Sequence, residues 1–224
     1  MRYEILYDQA FPIVKAYLEQ GEGLKAESDA MIAMSPTVDV TGGVDGGIIK
    51  GIARKFSGES FFMQYLKANR GPGEVLLAHA IPGAIVPVQL DGSYGLRVQK
   101  NGYLASSDGI DISTAAQNVL KGLFSKEGFF VVKISGRGLV FISSYGAIHP
   151  ITLDQGQEIV IDNGHLVAWP DYMSYKMEKA SSKGWISSFT SGEGLVCRFT
   201  GPGTIFIQTR NPGAFKSWIG SMSK

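Results

Sequence analysis

The stretch "FSKEGFFVVKISGRGLVFISS", Phe124 to Ser144, decides the reading of the fold because the chain states it three times. Its counterparts are "FSGESFFMQYLKANRGPGEVLLA", Phe56 to Ala78, and "FTSGEGLVCRFTGPGTIFIQT", Phe189 to Thr209. Glycine triplets set the period: Gly71-Pro72-Gly73, Gly136-Arg137-Gly138 and Gly201-Pro202-Gly203 follow one another at 65-residue intervals. Ahead of each triplet stands a glutamate after small or polar residues, Glu59 in "SGES", Glu127 in "SKEG" and Glu193 in "SGEG". A second landmark recurs as "LEQGEGLKAESDAMIAMSP" from Leu18, "LDGSYGLRVQKNGYLASSD" from Leu90 and "LDQGQEIVIDNGHLVAWPD" from Leu153. A third, "GAIVPVQLD" from Gly83 and "GAIHPITLD" from Gly146, recurs after 63 positions. Self-similarity at a fixed period describes an architecture before any secondary structure is assigned.

One unit can then be read for all three. Phe130, Val132 and Ile134 alternate with Lys133 and Ser135, the period of two expected of a strand with one buried face. The glycine triplet that follows predicts a turn reversing the chain into a second apolar run, a hairpin. Asn101-Gly102 and Asn163-Gly164 are strong two-residue turn signals and predict a further strand pair in each of their units. In the third unit Cys197 and Phe199 share a face and Arg198 points away, as do Val132, Ile134 and Lys133 in the second. Between these elements lie "GGVDGGIIKGIARKFSGE", "STAAQNVLKGLFSKE" and "SSKGWISSFTSGE". Ser113 is the best N-cap in the chain, so a turn or two of helix is expected in the second of these segments and loop in the others. The predicted architecture is all-β with few short helices. Three tandem repeats, about 1–72, 73–137 and 138–212, form one structural unit about a pseudo-threefold axis or in a row, followed by a tail at 213–224.

Bulk composition narrows the functional classes. The 29 glycines among 224 residues are nearly double the usual share of ~7% and match a turn-rich β protein. With 21 basic against 20 acidic side chains the net charge is +1, so no broad basic face points to nucleic acid. The single cysteine, Cys197, excludes an internal disulfide or a multi-cysteine metal site. A reducing, cytoplasmic setting is expected. Charges interrupt the first twenty residues, and no window of about twenty stays apolar, so neither a signal peptide nor a spanning helix is predicted.

Candidate sites were weighed by repeat arithmetic. His149 takes the place of Val86 and His165 that of Tyr103, positions that read as ordinary strand substituents, and His79 belongs to no motif. Cys197 takes the place of Val132 on an apolar face and reads as a small hydrophobe. The repeated Glu59, Glu127 and Glu193, with Gly73, Gly138 and Gly203, read as structural signatures. A cation-binding carboxylate cluster on a symmetry axis is the sharper alternative for the glutamates. The glycines of Thr41–Gly47 lack the Lys-Ser/Thr ending of a phosphate loop. Apolar side chains set among basic ones, Ile48, Ile49, Phe56, Leu123, Phe124, Trp185, Ile186 and, in the tail, Trp218, either complete contacts between units or face a membrane surface or partner protein. No catalytic residue, metal or cofactor is expected.

Over Gly58 to Leu90 and Phe124 to Pro212, above all in "SGEGLVCRFTGPGTIFIQTRNP", the chain resembles the bacterial and archaeal relatives of the fungal altered-inheritance-of-mitochondria protein twenty-four. The resemblance implies a fold similar to the tryptophan RNA-binding attenuator protein, with small β-sandwich units, three to a chain, that close into rings, so that a trimer presents nine. It implies no reaction. The lysine-rich RNA-binding motif of the attenuator protein does not recur here, Lys67, Lys133 and Arg198 lying in imperfect register. The expected function is therefore a non-enzymatic scaffold that assembles with itself, peripheral to a membrane or free. The alternative is a ring holding a small molecule in clefts between units.

Overall fold

The computed structural model describes residues 1–8, 11–43, 63–115, 131–179 and 195–222. The chain opens with strands β1 (Arg2–Leu6), β2 (Ile13–Leu18), β3 (Gly23–Glu27), β4 (Met31–Met34), β5 (Asp39–Gly43), β6 (Met63–Lys67) and β7 (Gly73–Leu77). It continues with β8 (Ile85–Asp91), β9 (Leu96–Gln99), β10 (Tyr103–Ser107), β11 (Ile110–Ala115) and the long β12 (Val131–Ser143). The last strands are β13 (Ile148–Leu153), β14 (Glu158–Asp162), β15 (Leu166–Pro170), β16 (Ser174–Lys179), β17 (Leu195–Thr200) and β18 (Gly203–Gln208), followed by helix α1 (Pro212–Met222). The protein is all-β, as its alternating apolar pattern predicts, and the strand pairs are antiparallel.

The pairing follows a simple rule. Strand β7 lies between β2 and β4, the C-terminal half of β12 between β8 and β10, and β18 between β13 and β15. Strand β6 lies between β3 and β5, the N-terminal half of β12 between β9 and β11, and β17 between β14 and β16. Two further pairings, β10 with β3 and β15 with β9, link these groups into an eleven-stranded sheet, leaving β1-β2-β7-β4 and β14-β17-β16 as separate sheets. Buried faces of these strands enclose three apolar clusters. Leu24, Leu66, Leu77 and Phe141 lie in the first, Val98, Tyr103, Val132 and Ile134 in the second, and Trp169, Cys197 and Phe199 in the third.

The glycine triplets do not turn hairpins. Strand β12 runs unbroken through Gly136 and Gly138, its residues Val131–Ile134 pairing with β9 and its residues Arg137–Ser143 with β8. Strands β6 and β7 share no pairing, nor do β17 and β18. Gly136 and Gly138, at φ +106° and +154°, let the strand bend from one set of partners to another. A hairpin needs the same left-handed freedom, and sequence alone does not separate the two. The Asn-Gly signals turn no hairpin either. They form short 3-10 turns at Lys100–Gly102 and Asn163–His165, and the strands they join do not pair with each other: β9 and β10 lie along opposite halves of β12, while β14 pairs with β17 and β15 with β18 and β9. Ser113 caps no helix: it lies within β11 opposite Lys133. The rest of that segment lies outside the described residues, among which the α-helix, α1, lies in the tail, where Asn211 Oδ1 accepts from the N–H groups of Gly213 (2.9 Å) and Ala214 (3.2 Å), an N-cap ahead of Pro212 at the first helical position.

Candidate functional site

Several sequence-derived candidates, Glu59, Glu127, Glu193, Ile48, Ile49, Phe56, Leu123, Phe124, Trp185 and Ile186, lie outside the described residues. The glycine signatures sit at crowded places. A Cβ on Gly138 would approach Ser107 Oγ to 2.2 Å, one on Gly203 would reach Met173 Sδ at 2.6 Å, and one on Gly73 would reach Thr37 Oγ1 at 2.6 Å. Trp218 is exposed on α1. Cys197 is free and buried, and burial, aided by the Asp162 charge, pushes its thiol up to about 12, far from the range of a nucleophilic thiolate. His149 is exposed on β13. His165 Nδ1 lies 2.7 Å from the Gln208 carbonyl oxygen and donates to it, while Gln208 Nε2 donates to Gly164 O at 2.9 Å, so both side chains are occupied in tying β18 to the turn before β15. Among the described residues no group of three or more His, Cys, Asp or Glu side chains could hold a metal ion.

His79 is different. Its side chain is 8% exposed, with Nε2 3.9 Å from Glu27 Oε2, and among the described residues no group comes into hydrogen-bonding geometry with Nδ1. Desolvation lowers its pKa to about 4, against the opposing influence of the Ile81 backbone, so the ring is neutral near pH 7. It lines a cavity of about 150 Å³ with Phe11, Pro12, Ile81, Pro82 and Ile85, where the chain passes from β7 to β8.

The main feature missed by sequence reasoning lies at the strand edges. Strand β10 pairs on one side with β12 and on the other with β3, and its Leu104 and Ser106 are wholly buried. Strand β15 pairs with β18 and β9, and its Val167 and Trp169 are equally buried. Among the described residues strand β4 pairs with β7 alone, and Ile32 is 52% and Met34 39% exposed. A bulge sets the correspondence, falling between Met31 and Ala33 in β4, Tyr103 and Ala105 in β10, and Leu166 and Ala168 in β15. Among the described residues β14 likewise pairs with β17 alone, and its Val160 is 44% exposed. The sequence signal was faint: "MIAM" in β4 is apolar at every position, where a strand with one wet face alternates.

The architecture defines an all-β protein of antiparallel sheets in which, among the described residues, β4 and β14 are two of the strands paired on one side only. The chain belongs to the family described as Mitochondrial biogenesis AIM24, whose model matches residues 3–210. It is 32% identical over 219 residues to an uncharacterized protein of Streptococcus pyogenes, covering 94% of this chain and 86% of that one. A crystal structure of a protein from Streptococcus pyogenes is similar at a TM-score of 0.81 and 30% identity, with 99% of each chain covered.

Proposed function

We propose that the chain is a non-enzymatic scaffold of three copies of one β unit, which joins further copies of itself head to tail into a ring-like oligomer. The observation that carries this reading is the contrast between buried β10 and β15 and exposed β4. Within the chain, the bulge-bearing strand of one unit joins the preceding unit twice, β10 to β3 and β15 to β9. Applied once more, the same rule calls for β4 of one copy to pair with β14 of another. Strand order supports the correspondence, since Lys67, Lys133 and Arg198 stand opposite Gly23, Arg97 and Val160 on the three inner strands. In the β15–β9 pairing Ala168 faces Val98. That register puts Ala33 opposite Ile161 of a second copy. The β10–β3 pairing is shifted by two residues, Ala105 facing Ala26, and preserves which side chains share a face. Joining the edges covers Ile32, Met34 and Val160 and satisfies two rows of backbone groups that otherwise invite uncontrolled association.

A contact between different surfaces closes into a ring when the rotation permits and otherwise grows into a filament. We expect closure, as a trimer presenting nine units. Light scattering on the purified chain tests it: a discrete multiple of the 24.1 kDa protomer mass is expected, and a monomer at micromolar concentration would sink the reading. Introducing Ala33→Cys with Ile161→Cys, in a Cys197→Ser background, is expected to give disulfide-linked oligomers. The near-neutral charge and lone buried cysteine support a reducing cytoplasmic setting without nucleic acid. A second reading, a ring that holds a small molecule, is favoured by the His79 cavity. A thermal shift with a metabolite pool that disappears in His79→Phe is its test.

A further inference from the structure

We propose that helix α1 lays its apolar face on an anionic lipid surface. This rests on an observation independent of the strand edges. Phe215, Trp218, Ile219 and Met222 recur at the spacing that gathers side chains on one helix face, and all four are exposed, Trp218 at 55% and Met222 at 68%. No residue of α1 is buried. Phe215 stacks on Trp218 with ring centroids 5.9 Å apart and meets Tyr145 at 5.5 Å. Isolated helices shorter than about 12 residues are marginal in water and are held by what their apolar face packs against, so an eleven-residue helix whose stripe is left this exposed is built to meet something.

Charge identifies the occupant. From Thr209 to Lys224 the chain carries Arg210, Lys216 and Lys224 and no acidic residue. Against a second copy of the same helix these cations would face their own kind. Against an acidic headgroup layer they attract, each adding on the order of 1 kcal/mol near the surface. Tryptophan in the stripe suits the boundary between headgroups and acyl chains, and the opposite side is small and polar, with Gly213, Ser217 and Ser221. The helix is far too short to span, and no described helix is long and apolar enough to cross a membrane. It lies on the surface, and an oligomer presenting one such helix per protomer multiplies a weak single contact.

Flotation of the full chain on vesicles of phosphatidylcholine, with and without phosphatidylglycerol, tests the proposal. The chain is expected to rise with the phosphatidylglycerol vesicles at low salt, to stay behind with phosphatidylcholine alone, and to be released by high salt. Trp218→Glu and Lys216→Glu, both at exposed positions, are each expected to lower the floated fraction by about tenfold. Their oligomer mass and melting temperature should be unchanged. Wild-type protein that stays at the bottom with both vesicles, equal flotation on both, or variants that float as well as wild type would overturn the assignment. Loss of oligomer mass in Trp218→Glu would also overturn it, making the face a contact between copies.

Discussion

At His79 the surroundings change the chemistry of the side chain. Its imidazole is shifted down by desolvation to about 4, so the folded state prefers it neutral. The associated stability is intact above the ordinary value near 6.5 and is lost as pH falls from there toward about 4. Across that window wild-type protein is expected to lose up to about 3 kcal/mol more than His79→Leu, measured by urea unfolding at pH 7 and pH 4.5. Cys197 makes the opposite statement about reactivity. Buried and protonated, it should resist iodoacetamide at pH 8 in the native protein and be labelled once the chain is unfolded. Gly83 shows how closely the segments leading into β8 and β13 approach. It bridges Gly146, and a Cβ there would stand 1.6 Å from the Ser144 carbonyl oxygen. Gly83→Ala is expected to cost more than about 3 kcal/mol, read as a lowered denaturant midpoint. The "GAI" landmark was legible as a repeated motif, but nothing in it said that its two copies touch.

At the scale of single elements, corresponding strands carry different burdens according to what covers them. Leu104 in β10 is wholly buried and Ile32 in β4 is half exposed. Leu104→Ala is expected to destabilise the protomer by about 3 kcal/mol. Ile32→Ala should leave the protomer within about 0.5 kcal/mol of wild type while weakening assembly. Thermal melts on dilute protein, with light scattering on concentrated samples, separate the two effects. Strand content was legible, because Phe130, Val132 and Ile134 alternate with polar neighbours. The connections were not. A glycine triplet permits both a hairpin and a bend between sheets, and only the positions of neighbouring strands decide which forms. Burial at β4 and β14 escaped the sequence for the same reason: an apolar strand is exposed or covered according to what lies beyond its edge.

At the scale of the whole molecule, assembly and stability are coupled. If β4 and β14 pair between copies, dissociation exposes both edges, and the melting temperature should rise with protein concentration. Val160→Lys, which places an ammonium group in the proposed junction, is expected to abolish that dependence and reduce the mass to a protomer. An unchanged oligomer in this variant would place the contact elsewhere on the molecule.

By itself the sequence determined that the protein is all-β, that its turns need many glycines, and that Cys197 and the alternating valines and isoleucines face inward. These are local properties, set by side-chain period and backbone freedom. Tertiary structure alone decided that β12 passes through its glycines without turning back, that Gly83 meets Gly146, and that, among the described residues, β4 and β14 lie at sheet edges. Each of these depends on which strand lies beside which, a relation between residues far apart in the chain that no local pattern records.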